Sequence, residues 1–235
     1  QQAEEREVKI SIRAGVKTPF VYDPVTDETL KLNTWENKDG RTVFSLKFSE
    51  NESLFIFLKK EEGEKALENG KNWRSFSTEK VLDENWKIQF DPEFHGPASA
   101  ISVDKLFDWS DSDNDNIKYY SGTAVYSKTF RYRGKTNDVW LNLGEIGDMA
   151  EVILNGKEIG VIWTSPHRIN ISKALKRGKN HLVIKVTNTW RNRLIGDQQL
   201  PEEERLTWTT APYRLDGEEL LEAGLLGPVK IETSE

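Results

Sequence analysis

Residues 139–163 read VWLNLGEIGDMAEVILNGKEIGVIW, and the fold class follows from them. Val139, Leu141 and Leu143 share one parity, and Ala150, Val152 and Leu154 share another. Strict alternation of this kind marks strands with one buried face. The second run ends on Asn155-Gly156, the strongest short hairpin signal in the chain, because a type I′ turn needs positive φ at both central residues.

The same period extends in both directions. Upstream, Trp86, Ile88 and Phe90 alternate, as do Ala124, Tyr126 and Phe130; downstream, Leu182, Ile184 and Val186 make another strand and residues 229–232 a last short one. One helical turn is expected over residues 172–177, ended by Gly178. Many short strands with turns between them mean a β-sandwich or jelly roll. The strand–helix–strand rhythm of a parallel sheet is missing.

The first sixty residues make a smaller antiparallel unit. Val8, Ile10 and Ile12 oppose Lys9, Ser11 and Arg13, and further strands are expected at 20–22, 29–32, 42–48 and 53–58. Turn chemistry lies at 23–27, 37–40 and 50–51. A charged, aperiodic run from Lys59 to Asn69-Gly70 follows. The expected organisation is therefore a small β unit over 1–60, a charged linker over 61–75 and a jelly roll over 76–235. The fold class is all-β, a small N-terminal β-sandwich unit followed by a jelly-roll β-sandwich.

Composition excludes several functions. The 235 residues contain no cysteine, which removes thiol catalysis, Fe–S clusters and cysteine-type zinc sites. The net charge of −6 comes with no basic face, so nucleic acid is not an expected partner. No apolar run reaches the length of a membrane span. The chain opens without Met or an apolar leader; either a leader was removed or, as we expect, the chain is a piece of a longer protein. Eight Trp in a polar chain point to large buried rings or to platforms on which the C–H face of a sugar stacks.

Residues 139–197, together with WKIQFDPEFHGP, FDWSD, IKYYSGTAVYSKTF and LTWTTAPYRLDGEELLEAGLLGPVKI, resemble the galactose-binding-like jelly roll of family 2 glycoside hydrolases. The match is closer to the C-terminal region of family 106, the α-L-rhamnosidases. It is specific over 82–235 and looser over FVYDPVTDETLKL and DGRTVFSLKFSENESLFIFL. The resemblance implies a bacterial parent enzyme that is periplasmic or secreted, and a catalytic barrel elsewhere in it. Such a barrel needs about 250 residues, and no catalytic carboxylate of the family maps onto this chain.

The expected function is thus a non-catalytic accessory domain that packs on the catalytic domain of its parent and contacts glycan. The alternatives are an independent carbohydrate-binding module and a complete small glycosidase. For the last, Glu145, Asp148, Glu151 and Asp197 are the acids nearest the motif. Sugar recognition requires a ring with fixed-geometry donors beside it, which singles out Trp163, His167, Trp190, Asn192, Arg193, Trp208 and Tyr213. The same residues suit an interface with a catalytic barrel, with Arg193 and Asp197 paired internally. Asp111, Asp113 and Asp115 alternate as calcium ligands do, although Asn116 and Gly122 stand where an EF-hand needs Gly and Glu. The reading expected first is a solvated loop; galactose-binding-like jelly rolls often hold a structural calcium, which keeps a non-EF-hand calcium site open as the second.

Overall fold

The computed structural model describes residues 5–60, 70–135, 137–210, 212–215 and 217–234. The chain divides into two compact units, one formed chiefly by Gln1–Ser75 and the other by Phe76–Trp163 and His167–Ser234.

The first unit contains β1 (Arg6–Ile12), β2 (Thr18–Asp23), β3 (Glu28–Lys31), β4 (Glu36–Lys38), β5 (Arg41–Phe48) and β6 (Phe55–Lys59). They form two three-stranded sheets, β1-β5-β4 and β3-β2-β6. Val21, Leu32, Phe44 and Leu46 are its buried core, with Ile10, Ile12, Trp35 and Ile56 packed against them. The stretch expected as a turn at 37–40 is partly strand. β4 pairs with β5, and only Asp39 and Gly40 turn the chain, both at positive φ. Residues 70–75, expected within a linker, include side chains tied into this unit. The Asn72 amide bonds the backbone of Thr34 and Ser45, and Arg74 pairs with Glu28.

The second unit contains β7 (Phe76–Val81), β8 (Trp86–Gln89), β9 (Ile101–Val103), β10 (Thr123–Tyr132), β11 (Val139–Asn142), β12 (Glu145–Ile146), β13 (Met149–Leu154), β14 (Lys157–Ile162), β15 (Arg168–Asn170), β16 (Gly178–Thr187), β17 (Leu225–Gly227) and β18 (Lys230–Ser234). A six-stranded sheet runs β14-β13-β16-β10-β8-β9, a four-stranded sheet runs β15-β11-β18-β7, and β12 pairs with β17. Ile88, Tyr126, Val152 and Ile184 from the first sheet and Leu141 and Ile231 from the second belong to one buried cluster. Two sheets with interdigitated inner faces make a sandwich.

A group of rings fills one part of this core. Trp109 is fully buried, and its Nε1–H donates to the Tyr126 hydroxyl at 2.7 Å. Phe90 and Tyr120 meet it edge-on at 5.2 and 5.5 Å, the geometry that ring quadrupoles favour. Burial pushes the Tyr126 phenol well above its ordinary range, against hydrogen bonds from Leu225 N–H and Trp109. The chain passes so close to Trp109 at Gly224 that a Cβ there would lie 2.4 Å from Nε1. The closing segment is thereby locked onto the core.

Among the described residues helix is scarce, and no helix is assigned over 172–177. Residues 172–174 form a turn, and the Asn180 side chain bonds both N–H and C=O of Lys176. Those bonds take the backbone groups that a helix continuing through 177 would use. The regular helices among the described residues are α1 (Asp115–Lys118) and α2 (Arg191–Gln198). Among the described residues no helix is long and apolar enough to cross a membrane.

Candidate functional site

Strand register brings several candidate residues to one end of the six-stranded sheet. Ile162 opposes Ala150, Met149 opposes Thr187, and Thr123 opposes Thr187 from the other side. Trp163 leaves the end of β14, and Trp190 follows the end of β16 as the residue preceding α2. Their rings are 60% and 57% exposed. The 189–190 segment is fixed there because Asp148, at φ +78°, accepts the Thr189 N–H at 2.8 Å.

The other candidates divide by burial. Trp208 is 77% exposed. Its neighbour Thr207 donates through both N–H and Oγ1 to Oδ2 of Asp197, at 2.9 and 2.5 Å. Tyr213 is half-buried, in a segment held where Leu215 N–H donates to Gln198 Oε1 at 2.9 Å. His167 is also half-buried. Its Nδ1 lies 2.7 Å from the Gly144 carbonyl, and with a carbonyl opposite it Nδ1 carries the proton. The adjacent Arg168 donates to buried Glu232 at 2.6 Å and lies over the Phe76 ring.

Asn192 and Arg193 are corrections to the loop expected after β16. Both lie on α2 and are buried. The Asn192 amide donates to Leu221 C=O and accepts its N–H, at 2.7 and 2.8 Å. It satisfies the backbone of a segment that has no strand there. Burial holds the Arg193 guanidinium below its ordinary pKa, opposed by the Asp197 carboxylate. Arg193 Nη2 and Asp197 Oδ1 have no hydrogen-bond partner. Two of the expected sugar donors are thus side chains of the interior, while the three Trp rings face outward.

The acids near the motif are mostly engaged in the fold. Glu151 pairs with Lys185 at 3.1 Å, Asp148 holds Thr189, and Asp197 holds Thr207. The aspartate run at 111–115 spans the end of one short helix and the start of the next. Asp111 ends a 3₁₀ turn, and Asn114 Oδ1 caps α1 by accepting the Asn116 N–H at 3.0 Å. Asp111, Asp113 and Asp115 are not brought together as a three-carboxylate group. No cluster of three His, Asp or Glu side chains among the described residues could hold a metal ion.

One feature escaped the sequence reading. Phe20, Tyr22, Phe55 and Phe57 share the outer face of the β3-β2-β6 sheet. The available signal was β6 itself, in which Phe55, Ile56, Phe57 and Leu58 are apolar on both faces.

Comparison with known proteins agrees with this architecture. Residues 103–217 match the family described as glycosyl hydrolase 2 galactose-binding domain-like. The fold is that of an all-β, galactose-binding-like sandwich. The chain is 38% identical over 178 residues to a putative beta-glucuronidase of Formosa agariphila, covering 64% of this chain and 15% of that protein. The structure of a rhamnosidase from Novosphingobium sp. PP1Y superposes with a TM-score of 0.87 at 31% identity, over 100% of this chain and 22% of that one. The chain therefore spans less than a quarter of the length of these relatives, both of which bear the names of glycosidases.

Proposed function

We propose that this chain is a non-catalytic accessory domain of a glycoside hydrolase of the α-L-rhamnosidase kind, similar to family 106. It packs on the catalytic domain of its parent and presents the Trp163, Trp190 and Trp208 rings to glycan substrate. The observation that carries this reading is the split at the sheet end: the rings are exposed, whereas nearby acids and amides serve the fold's own backbone. Similarity to the rhamnosidase over the whole chain supports the enzyme class. A periplasmic or secreted parent belongs to the same proposal.

The role of the rings is chemical. A pyranose presents an apolar C–H face to an aromatic ring, and its hydroxyls take the polar groups beside it. One or two such contacts give an affinity near millimolar, which corresponds to about −4 kcal/mol. In the test, the chain is titrated with rhamnose-containing oligosaccharides while Trp fluorescence is followed, in wild type and in Trp163→Ala, Trp190→Ala. A signal lost in the folded double variant is expected, with no release of nitrophenol from nitrophenyl α-L-rhamnoside. A signal that survives the double substitution, or nitrophenol release abolished by Asp197→Asn, overturns the reading.

A further inference from the structure

The geometry points to a second carbohydrate surface, on the first unit: the outer face of the β3-β2-β6 sheet is a platform for an acidic glycan, one bearing uronate or sulfate groups. This extends the carbohydrate reading above to a different unit, and its test is separable from that one.

Strand register builds the platform. Phe20 pairs with Phe57 and Tyr22 with Phe55, two residues apart on each strand, so their four rings form a block of two rows. Phe55 and Phe57 are 57% and 46% exposed, and Tyr22 lies 6.1 and 6.4 Å from them between ring centroids. The opposite parity, with Val21 and Ile56, packs into the unit's core. The outward rings are therefore not a displaced piece of that core.

Two arguments select the occupant. The first is size. Rows lie about 7 Å apart along the strands and columns about 4.8 Å apart across them, giving a ring surface on the order of 100–200 Å². A stable protein interface needs about 800 Å² from each partner, whereas one or two pyranose rings match the smaller footprint. The second is charge. Lys59 Nζ lies 4.7 Å and Lys31 Nζ 6.0 Å from the Phe20 ring centroid. Two ammonium groups converge on one ring in a chain whose net charge is −6. At the other end of the block the Tyr22 hydroxyl donates to Asp27 at 3.1 Å. A sugar acid stacked on the rings thus finds cations at one end and a carboxylate at the other, which sets its direction as well as its charge.

The experiment titrates the whole chain with tetragalacturonate, and separately with neutral maltotetraose, following backbone amide shifts by NMR. Shifts on β2, β3 and β6 with tetragalacturonate and far weaker ones with maltotetraose are expected. Phe55→Ser, Phe57→Ser should weaken binding about tenfold or more, and Lys59→Gln about two- to fivefold. Trp163→Ala, Trp190→Ala should leave the shifts on β2, β3 and β6 unchanged. Three results overturn the proposal: equal binding of the neutral sugar, no shift on these strands, or shifts confined to the neighbourhood of Trp163 and Trp190. A fourth is sedimentation showing wild-type self-association that the double Phe variant abolishes while tetragalacturonate binding persists. The face would then be a contact between copies.

Discussion

Two groups of aromatic rings, one in each unit, lie in opposite surroundings. In the second, Trp86, Phe90, Trp109, Tyr120 and Tyr126 are buried and meet one another in a single ring cluster. In the first, Phe20, Tyr22, Phe55 and Phe57 sit on an outer sheet face, and the core is made by Val21, Leu32, Phe44 and Leu46. The strand pattern explains the difference. On β10 the residues between Tyr126 and Tyr132 that point away from the core are Ser127, Thr129 and Arg131, so one face is plainly for water. On β6 both faces are apolar. Alternation tells which residues share a face, and only polar residues on the other face tell which side is covered. A strand apolar on both faces has two partners to satisfy.

The comparison is most sharply tested by deleting one ring from each set. Trp109→Ala removes a fully buried ring, its hydrogen bond to Tyr126 and its contacts with Phe90 and Tyr120. A loss of about 3–5 kcal/mol is expected for a large aromatic cut back to Ala in a close-packed core. Urea unfolding followed by far-UV circular dichroism measures it. A loss below about 1 kcal/mol would mean that the ring cluster is not the keystone its burial suggests.

Next in size is Asn192→Ala. The substitution leaves both backbone groups of Leu221 without the partner they have in the native state. Stranded polar groups cost about 1–3 kcal/mol, seen in the same urea experiment. Sugar-dependent Trp fluorescence should persist in this variant, since Asn192 is buried. Loss of that signal with stability intact would move Asn192 from scaffold to site.

Asn192 also shows where the sequence stopped being legible. The strands could be read because their alternation is local, and the Asn155-Gly156 turn because two adjacent residues must take positive φ, which they do at +55° and +79°. α2 lacked such a signal. Its buried face consists of Asn192, Arg193, Ile195, Gly196 and Asp197, so a search for apolar period 3.6 passes over it. The partners that make this face polar are Leu221 and Thr207, 29 and 10 residues away. The rings at the candidate site were visible as composition. Which of them face water depends on strand register, and which amides are consumed depends on contacts distant in sequence.

The surface rings should matter little to folding. Phe55→Ser, Phe57→Ser removes side chains about half exposed or more, and a loss of no more than about 1 kcal/mol is expected. Thermal unfolding of the double variant beside Trp109→Ala gives the contrast directly. If the Phe pair destabilised as much as Trp109, the outer face of β6 would be a second core, and a ligand platform would not be its role.

The smallest effect concerns the turn that leads into β6. Glu52 Oε2 accepts the Ser49 N–H at 2.7 Å, and Glu52 N–H donates to Ser49 C=O at 3.3 Å. Burial raises the Glu52 carboxyl above its ordinary 4.5, the Ser49 N–H opposes that rise, and Asp23 and Glu5 add to it. A raised carboxyl in the folded state means that folding favours the protonated form, so ionisation weakens the fold. The penalty is absent below the unfolded value of 4.5, grows as pH climbs towards the folded value, and is constant above it. Glu52→Gln keeps an oxygen for the Ser49 N–H and removes the charge. The variant should therefore unfold at a slightly higher temperature than wild type at pH 7, and the gap should close at pH 4. The carboxyl is partly solvated, so the shift should be small beside that of Trp109→Ala. A variant less stable at pH 7 than at pH 4, relative to wild type, would reverse the sign: the ionised Glu52 would then be holding the turn, and its hydrogen bond to Ser49 would outweigh its burial.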